Sequence, residues 1–383
     1  GRCSIGRRFE RGIFTRRRRK RRNEKRPGTN DKTMTGIKEN IIRITRYISV
    51  SLLILCITPL CDRDVMISGA RLFNPYTGQE ITCAIDLGDD MRGAHGLETG
   101  FSYELINRFA KDNNCYISVI VHNDSENFKD SLSAGAIDLI ITHNDVLSNS
   151  DDIMTSSELD DCSVIAIKDD GNYAKINEIN TWLNYIKASG EFDTIKARYK
   201  NVGNPIKKAE KGIIAKHVSP YDEQIKSSAS KLGWDWRMLA AVVYQESRFS
   251  INSKSHRGAM GLMQVMPSTA ANYGILDLVN PENNLKAGTQ HFQILQSIWK
   301  KRELEHSELI KFTLASYNAG IGKILECRSF ATERGLNADE WDDIVSIIPE
   351  MRKEGLFQGY ETIAYVENVL SIYDAICKIH PTE

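Results

Sequence analysis

Glu246 is the residue in this chain best placed to do acid–base chemistry, because its spacing puts a carboxylate on an apolar helical face. In the run Met-Leu-Ala-Ala-Val-Val-Tyr-Gln-Glu-Ser-Arg-Phe, residues 238–249, Leu239, Val242, Val243 and Glu246 fall at i, i+3, i+4 and i+7. A carboxyl on that stripe is expected in a cleft rather than in bulk water. Desolvation disfavours its charged form, so it can keep a proton near neutral pH and pass it to a leaving group. Taken alone, a glutamate on such a face is more often ion-paired or solvent-tipped than catalytic, so the surrounding words matter.

Three further words follow in order: Gly258-Ala259-Met260-Gly261-Leu262-Met263-Gln264-Val265-Met266-Pro267, Ala315-Ser316-Tyr317-Asn318-Ala319-Gly320 and Glu361-Thr362-Ile363-Ala364-Tyr365-Val366. Gly258 and Gly261 permit backbone conformations closed to other residues. Gly320 suits the end of a helix carrying Tyr317 and Asn318. Ser247 either bonds substrate or closes its helix on a backbone carbonyl. Met263 either lines the site or packs in the core, and Glu361 is expected to pair inside the fold.

Together with Gln245-Glu246-Ser247-Arg248-Phe249, these words over about residues 218–375 resemble the catalytic domain of family 1 lytic transglycosylases, whose fold is goose-lysozyme-like. The resemblance implies Glu246 as the catalytic acid and base. It implies Ser247, Gly261, Met263, Gln264, Tyr317, Asn318 and Tyr365 as residues lining the sugar site, with the Tyr365 hydroxyl reaching the catalytic carboxyl. Ser316 stands where the family more often has alanine. No metal and no cofactor is implied.

The carboxylate count bears on the reaction. Ordinary glycosidases flank the scissile bond with two carboxyl groups. Within the matching words only Glu246 is placed as an acid, whereas Asp235, Asp277 and Glu282 fall in turns or at a helix start. A lone acid and base fits the lytic route, in which the muramic C6 hydroxyl replaces water. The expected activity is cleavage of the β-1,4 bond between N-acetylmuramic acid and N-acetylglucosamine in peptidoglycan, leaving 1,6-anhydro ends. The rivals are a hydrolytic muramidase and a non-catalytic murein-binding scaffold.

From 219 onward the pattern is almost wholly helical, with candidate helices at 220–232, 236–248, 267–273, 281–299, 307–318, 321–334, 338–347 and 360–379 and a short β-turn element between 250 and 265. Ser219 and Pro220 are expected to cap and open the first of these helices. Residues 80–200 instead alternate short apolar runs with helical patterns. Strands are expected at 82–87, 115–121 and 137–142 and helices at 101–112 and 128–134, which makes an α/β unit with a largely parallel sheet. The words Gly100-Phe101-Ser102-Tyr103-Glu104-Leu105-Ile106 and Ala136-Ile137-Asp138-Leu139-Ile140-Ile141 resemble the first lobe of family 3 periplasmic solute-binding proteins, as do Trp182-Leu183 and Gly190-Glu191-Phe192. That family inserts a second lobe where this chain has only about 20 polar residues, 143–161, so the usual pocket between lobes cannot form.

The formal net charge of zero conceals an asymmetry. Residues 1–26 hold 13 of the 50 Lys and Arg and 2 of the 50 acids, so the remainder carries 37 bases against 48 acids, a net of −11. An acidic body argues against nucleic-acid binding. Met34, then Lys38, Arg43 and Arg46, then an apolar run from Tyr47 to Leu60 have the layout of an export signal, with Met34 as the expected start. Cys56 or Cys61 could carry a lipid. Cys83, Cys115, Cys162, Cys327 and Cys377 lack metal-ligand spacing.

The expected architecture is therefore multidomain α and α/β. It has a basic leader with a signal or anchor segment (1–61), a shortened single-lobe α/β solute-binding-like domain (62–200), a linker (201–217) and an all-helical lysozyme-like catalytic domain (218–383). The expected location is the periplasm, peripheral to or lipid-anchored at the outer membrane, with peptidoglycan strands as partner.

Overall fold

The computed structural model describes residues 74–87, 95–121, 127–147, 151–159 and 163–381. The leader over 1–61, with Met34, Cys56 and Cys61, lies outside the described residues, as do 62–73 and Cys162.

The first part is a five-stranded sheet with helices on it. In chain order come β1 (Glu80–Asp86), α1 (His95–Asp112), β2 (Tyr116–Val121), α2 (Phe128–Ala134), β3 (Leu139–His143), β4 (Ile153–Thr155) and β5 (Ser163–Lys168), then α3 (Tyr173–Ala188) and α4 (Glu191–Lys200). The strand order is β2-β1-β3-β5-β4. Side-chain alternation explains why the sheet is covered on both faces. Cys83, Ile85, Leu139, Ile141, Ile165 and Ile167 point into the main core, whereas Ala84, Ile140, Val164 and Ala166 meet Phe128 and Leu132 of α2 on the other side.

The sheet is mixed, not largely parallel. β1 is parallel to β2 and β3, but β5 runs antiparallel to β3 and to β4. The stretch expected to be a polar connection supplies β4, and only residues 156–162 separate it from β5. A connection that short permits an antiparallel pair, whereas a parallel one needs a crossover of about a dozen residues or more.

Next come α5 (Pro205–Glu210), α6 (Asp222–Leu232), α7 (Trp236–Ser247), α8 (Pro267–Ala271), α9 (Pro281–Lys300), α10 (His306–Ala319), α11 (Ile321–Glu333), α12 (Trp341–Lys353) and α13 (Tyr360–Ile379). Isolated bridges Lys254–Met260 and Met260–Val265 form the small β-turn element. Residues 201–217, expected as a linker, hold α5, which Asn204 caps and Pro205 opens, and which packs on α13. The Ala215 N–H adds a bond to the Ile379 carbonyl at 2.7 Å.

Two helix starts differ from expectation, each for a tertiary or capping reason. α6 begins at Asp222, two residues after Pro220, because the Asp222 carboxylate accepts the N–H groups of Val218 (2.9 Å) and Ser219 (2.7 Å). α12 runs from Trp341 to Lys353 with Pro349 inside it. Its start is held by buried Glu308 of α10, which accepts the Trp341 N–H at 2.7 Å while bonding Lys311.

The sheet-bearing and helical parts share one connected apolar core. Phe101 of α1 meets Phe192 and Tyr199 edge-on, and Tyr199 meets Tyr221 at 6.1 Å. The Tyr199 hydroxyl donates to Glu104, which also pairs with Arg198. The approach is so close at Gly100 that a Cβ there would lie 2.6 Å from the Tyr221 hydroxyl. No helix among the described residues is long and apolar enough to cross a membrane.

Candidate active site

α7 delivers the acid. Asp235 caps it by accepting the Arg237 N–H at 2.9 Å, and its carboxylate also takes the Tyr373 hydroxyl at 3.1 Å. Leu239, Val242 and Val243 are fully buried, and Glu246, one turn further along the same face, is half-buried. The Tyr365 hydroxyl of α13 donates to Glu246 Oε1 at 2.6 Å. Burial pushes the Glu246 carboxyl up to about 7, and the Tyr365 bond opposes part of that rise by favouring the carboxylate. The group is thus poised to give up and retake a proton near neutral pH.

Directly after Ser247 the chain takes an unfavourable path. Arg248 and Phe249 both have positive φ, 54° and 66°, and so does Gln264 at 49°. Non-glycine residues in this region carry strain that only surrounding packing sustains, and such strain gathers at functional sites. Phe249 is fully buried, which holds the turn. Ser247 donates its hydroxyl to the Leu262 carbonyl at 2.8 Å and lies 3.1 Å from that of Val243. Of its two readings, the structure places it in the backbone-bonding one.

The loop 258–266 is pinned on α9 by one buried side chain that sequence reasoning missed. Asn284 accepts the Met263 N–H at 2.8 Å and donates to the carbonyls of Met260 and Leu278, both at 2.9 Å. Every polar atom of this amide is therefore used. Gly261 has φ +73°, and a Cβ there would lie 2.2 Å from Asn284 Nδ2 and 2.6 Å from the Leu278 carbonyl, so glycine is required for conformation and for space. Met263 is fully buried against Gly288, in the packing role rather than as an exposed lining. Gln264 donates its amide to the carbonyls of Ser253 (3.0 Å) and Gly261 (3.1 Å).

Tyr317 donates its hydroxyl to the Met263 carbonyl at 2.8 Å, which ties α10 to the same loop. Burial first, and then the charge of Glu246, hold the phenols of Tyr317 and Tyr365 well above the usual tyrosine range, so both stand beside the acid. Asn318, one residue on and exposed, accepts the Thr362 hydroxyl at 2.9 Å. Glu361 is exposed. Three residues beside Tyr317 were not singled out: Phe292 stacks on its ring, His291 leans on it, and Tyr273 bonds His291. The only sequence signal for Asn284 and His291 was their i, i+7 spacing on one helix, which by itself says nothing of a loop lying across it.

The other carboxylates are occupied elsewhere. Asp235 caps α7, Asp277 accepts the N–H groups of Val279 and Asn280, and Glu282 sits in the first turn of α9. Among the described residues, no group of three or more His, Cys, Asp or Glu could hold a metal ion, and Cys83, Cys115, Cys327 and Cys377 are free thiols.

Comparison with known proteins agrees with this geometry. Residues 223–338 match the family model described as Transglycosylase SLT domain. The membrane-bound lytic murein transglycosylase F of Desulfosudis oleivorans is 31% identical over 212 residues, which is 52% of this chain and 46% of that protein. That of Haemophilus influenzae is 36% identical over 154 residues, 38% of this chain and 32% of that protein. Among solved structures, the 70 kDa soluble lytic transglycosylase of Escherichia coli shares 27% identity over 41% of this chain and 24% of that one, with a TM-score of 0.32. The chain spans about half the length, 46%, of the first curated relatives it matches. The helical part of this chain, with Glu246, Met263, Asn284 and Tyr317 inside the matched residues, contains a transglycosylase SLT domain.

Proposed function

We propose that this chain is a peptidoglycan lytic transglycosylase that uses Glu246 as its single acid and base. The observation that carries the proposal is the Glu246 carboxyl itself, held near a pKa of about 7, bonded by Tyr365, and with no charged neighbour contributing to its shift. Glu246 gives its proton to the oxygen linking N-acetylmuramic acid to N-acetylglucosamine, and the bond from that oxygen to the muramic C1 breaks. The N-acetyl group steadies the oxocarbenium-like centre. The carboxylate then takes the proton of the C6 hydroxyl as O6 closes on C1, which restores the acid and forms the 1,6-anhydro ring. The internal hydroxyl has a high effective concentration, so no water is needed.

In this reading Tyr317, Asn318 and Gln264 border the sugar, and Gln264, whose amide nitrogen is engaged internally, offers its oxygen to a sugar hydroxyl. Gly261, Met263 and Ser247 serve by shaping the loop. The helical domain, 218–383, is goose-lysozyme-like. Residues 62–200 form a shortened solute-binding-like lobe, and the leader exports the protein to the periplasm, where it works at the outer membrane. The names of the relatives, membrane-bound lytic murein transglycosylases, support an envelope location.

Mass spectrometry of digested sacculi is the test. A lytic transglycosylase releases anhydro-muropeptides that are lighter by one water than the reducing-end products of a muramidase. Reducing ends would establish the hydrolytic rival, and binding without cleavage the scaffold.

A further inference from the structure

Tyr317 is held on three sides. Its hydroxyl donates to the Met263 carbonyl at 2.8 Å, and its ring stacks on Phe292 with centroids 4.1 Å apart and planes 8° apart. The His291 ring leans on it at 5.5 Å and 56°. His291 is anchored in turn, its Nδ1 lying 3.0 Å from the Tyr273 hydroxyl. Burial lowers the His291 pKa, so the imidazole is neutral and its Nδ1 accepts the tyrosine proton.

These contacts close a circuit around one face of α9. Asn284, Gly288 and His291 fall at i, i+4 and i+7 on that helix. Asn284 grips the loop at Met260 and Met263, Gly288 receives the Met263 side chain, and His291 grips Tyr273. Tyr273 stands just beyond α8, the short helix that starts where the loop ends at Met266. One helix face thus holds the loop at its beginning and its continuation at the end, with Tyr317 between them. Tyr273 and His291 are both partly exposed, in contrast to the fully buried Asn284 and Phe292, so the pair sits at the rim of this arrangement and not in the core.

We infer that Tyr273 and His291 are positioning residues for glycan binding: their hydrogen bond latches the segment after α8 onto α9 and sets the Tyr317 ring beside Glu246. The inference rests on the transglycosylase reading above. The pair acts through Tyr317 and moves no proton of the reaction, so its loss weakens binding in the ground and transition states alike.

The experiment is steady-state cleavage of purified uncrosslinked glycan strands by the parent chain and by Tyr273→Phe, His291→Phe, His291→Asn and the double variant Tyr273→Phe/His291→Phe, with melting curves for each. Tyr273→Phe and His291→Phe raise KM by about three- to tenfold, the size of one lost hydrogen bond, and leave kcat within about twofold. The double variant is no worse than either single, because both remove the same bond. His291→Asn, whose amide oxygen stands near the place of Nδ1, recovers a KM within about twofold of the parent. Parent-like KM in both Phe variants, additive effects in the double, or an Asn variant no better than His291→Phe would each overturn the latch. If His291→Phe does not fold, Tyr273→Phe, which deletes one oxygen from a partly exposed side chain, decides the matter alone. A parent chain no more active than Glu246→Gln defeats the transglycosylase reading, whereas an active parent with untouched variants defeats only the latch.

Discussion

The Tyr365 hydroxyl lies 2.6 Å from Oε1 of Glu246, although 119 residues separate the two in the chain. This contact joins the last helix to the acid-bearing one and opposes part of the effect of burial, so Tyr365 tunes the acid as well as holding it.

Replacing Glu246 by Gln removes the transferable proton and keeps the shape. Cleavage of glycan strands falls by about a hundred- to ten-thousandfold, the usual contribution of a positioned acid and base. Chromatography of released muropeptides checks this. Preserved activity would remove Glu246 from the mechanism.

The same variant changes the pH dependence of stability. The folded pKa of Glu246, about 7, lies above the ordinary carboxyl value of 4.5, so between those values the folded state binds the extra proton. Stability from this group is therefore fully present below about pH 4.5 and declines as pH rises toward 7. Glu246→Gln flattens that decline, so thermal melts at pH 8 show the variant gaining on the parent and melts at pH 4.5 do not.

Activity needs protonated Glu246, so kcat/KM has a basic limb near pH 7. In Tyr365→Phe the carboxylate loses a hydrogen bond that favoured it, and the limb moves to higher pH. Rate–pH profiles of the two proteins measure the displacement. A limb that stays in place or moves to lower pH contradicts the role assigned to Tyr365.

Asn284→Ala strands the Met263 N–H and two carbonyls at a buried site. Loss of about 2–4 kcal/mol is expected by urea unfolding, since buried polar groups left unpaired each cost about 1–3 kcal/mol and relaxation recovers some of it. Activity falls along with it, because Met263 also holds Tyr317.

At Gly261 an alanine meets backbone strain and Asn284 Nδ2 together. A destabilisation of roughly 1–3 kcal/mol and a large fall in kcat/KM follow, readable in the same two assays. At Gly258, where φ is +85° but no atom lies within 4 Å of a Cβ, alanine is expected to be milder.

The helical part was legible because its signals are local. A period of 3.6, caps such as Asn280-Pro281 and stops such as Gly320 depend on neighbours in the chain, and most helix limits lie within two residues of expectation. The start of α12 was not legible, since Glu308, 33 residues earlier, decides it. The direction of β5 was equally hidden, because alternation marks a strand without saying which neighbour it joins.

By itself the sequence determined that Glu246 shares a helical face with buried aliphatics and that Gly261, Tyr317 and Tyr365 stand in motif words around it. Periodicity and residue type suffice for that. Only the tertiary structure decided that Asn284 pins the loop, that Ser247 and Met263 face inward, and that Tyr273 and His291 hold Tyr317. Those facts depend on which helix crosses which loop, and close packing between segments far apart in the chain leaves no mark in the spacing of either one.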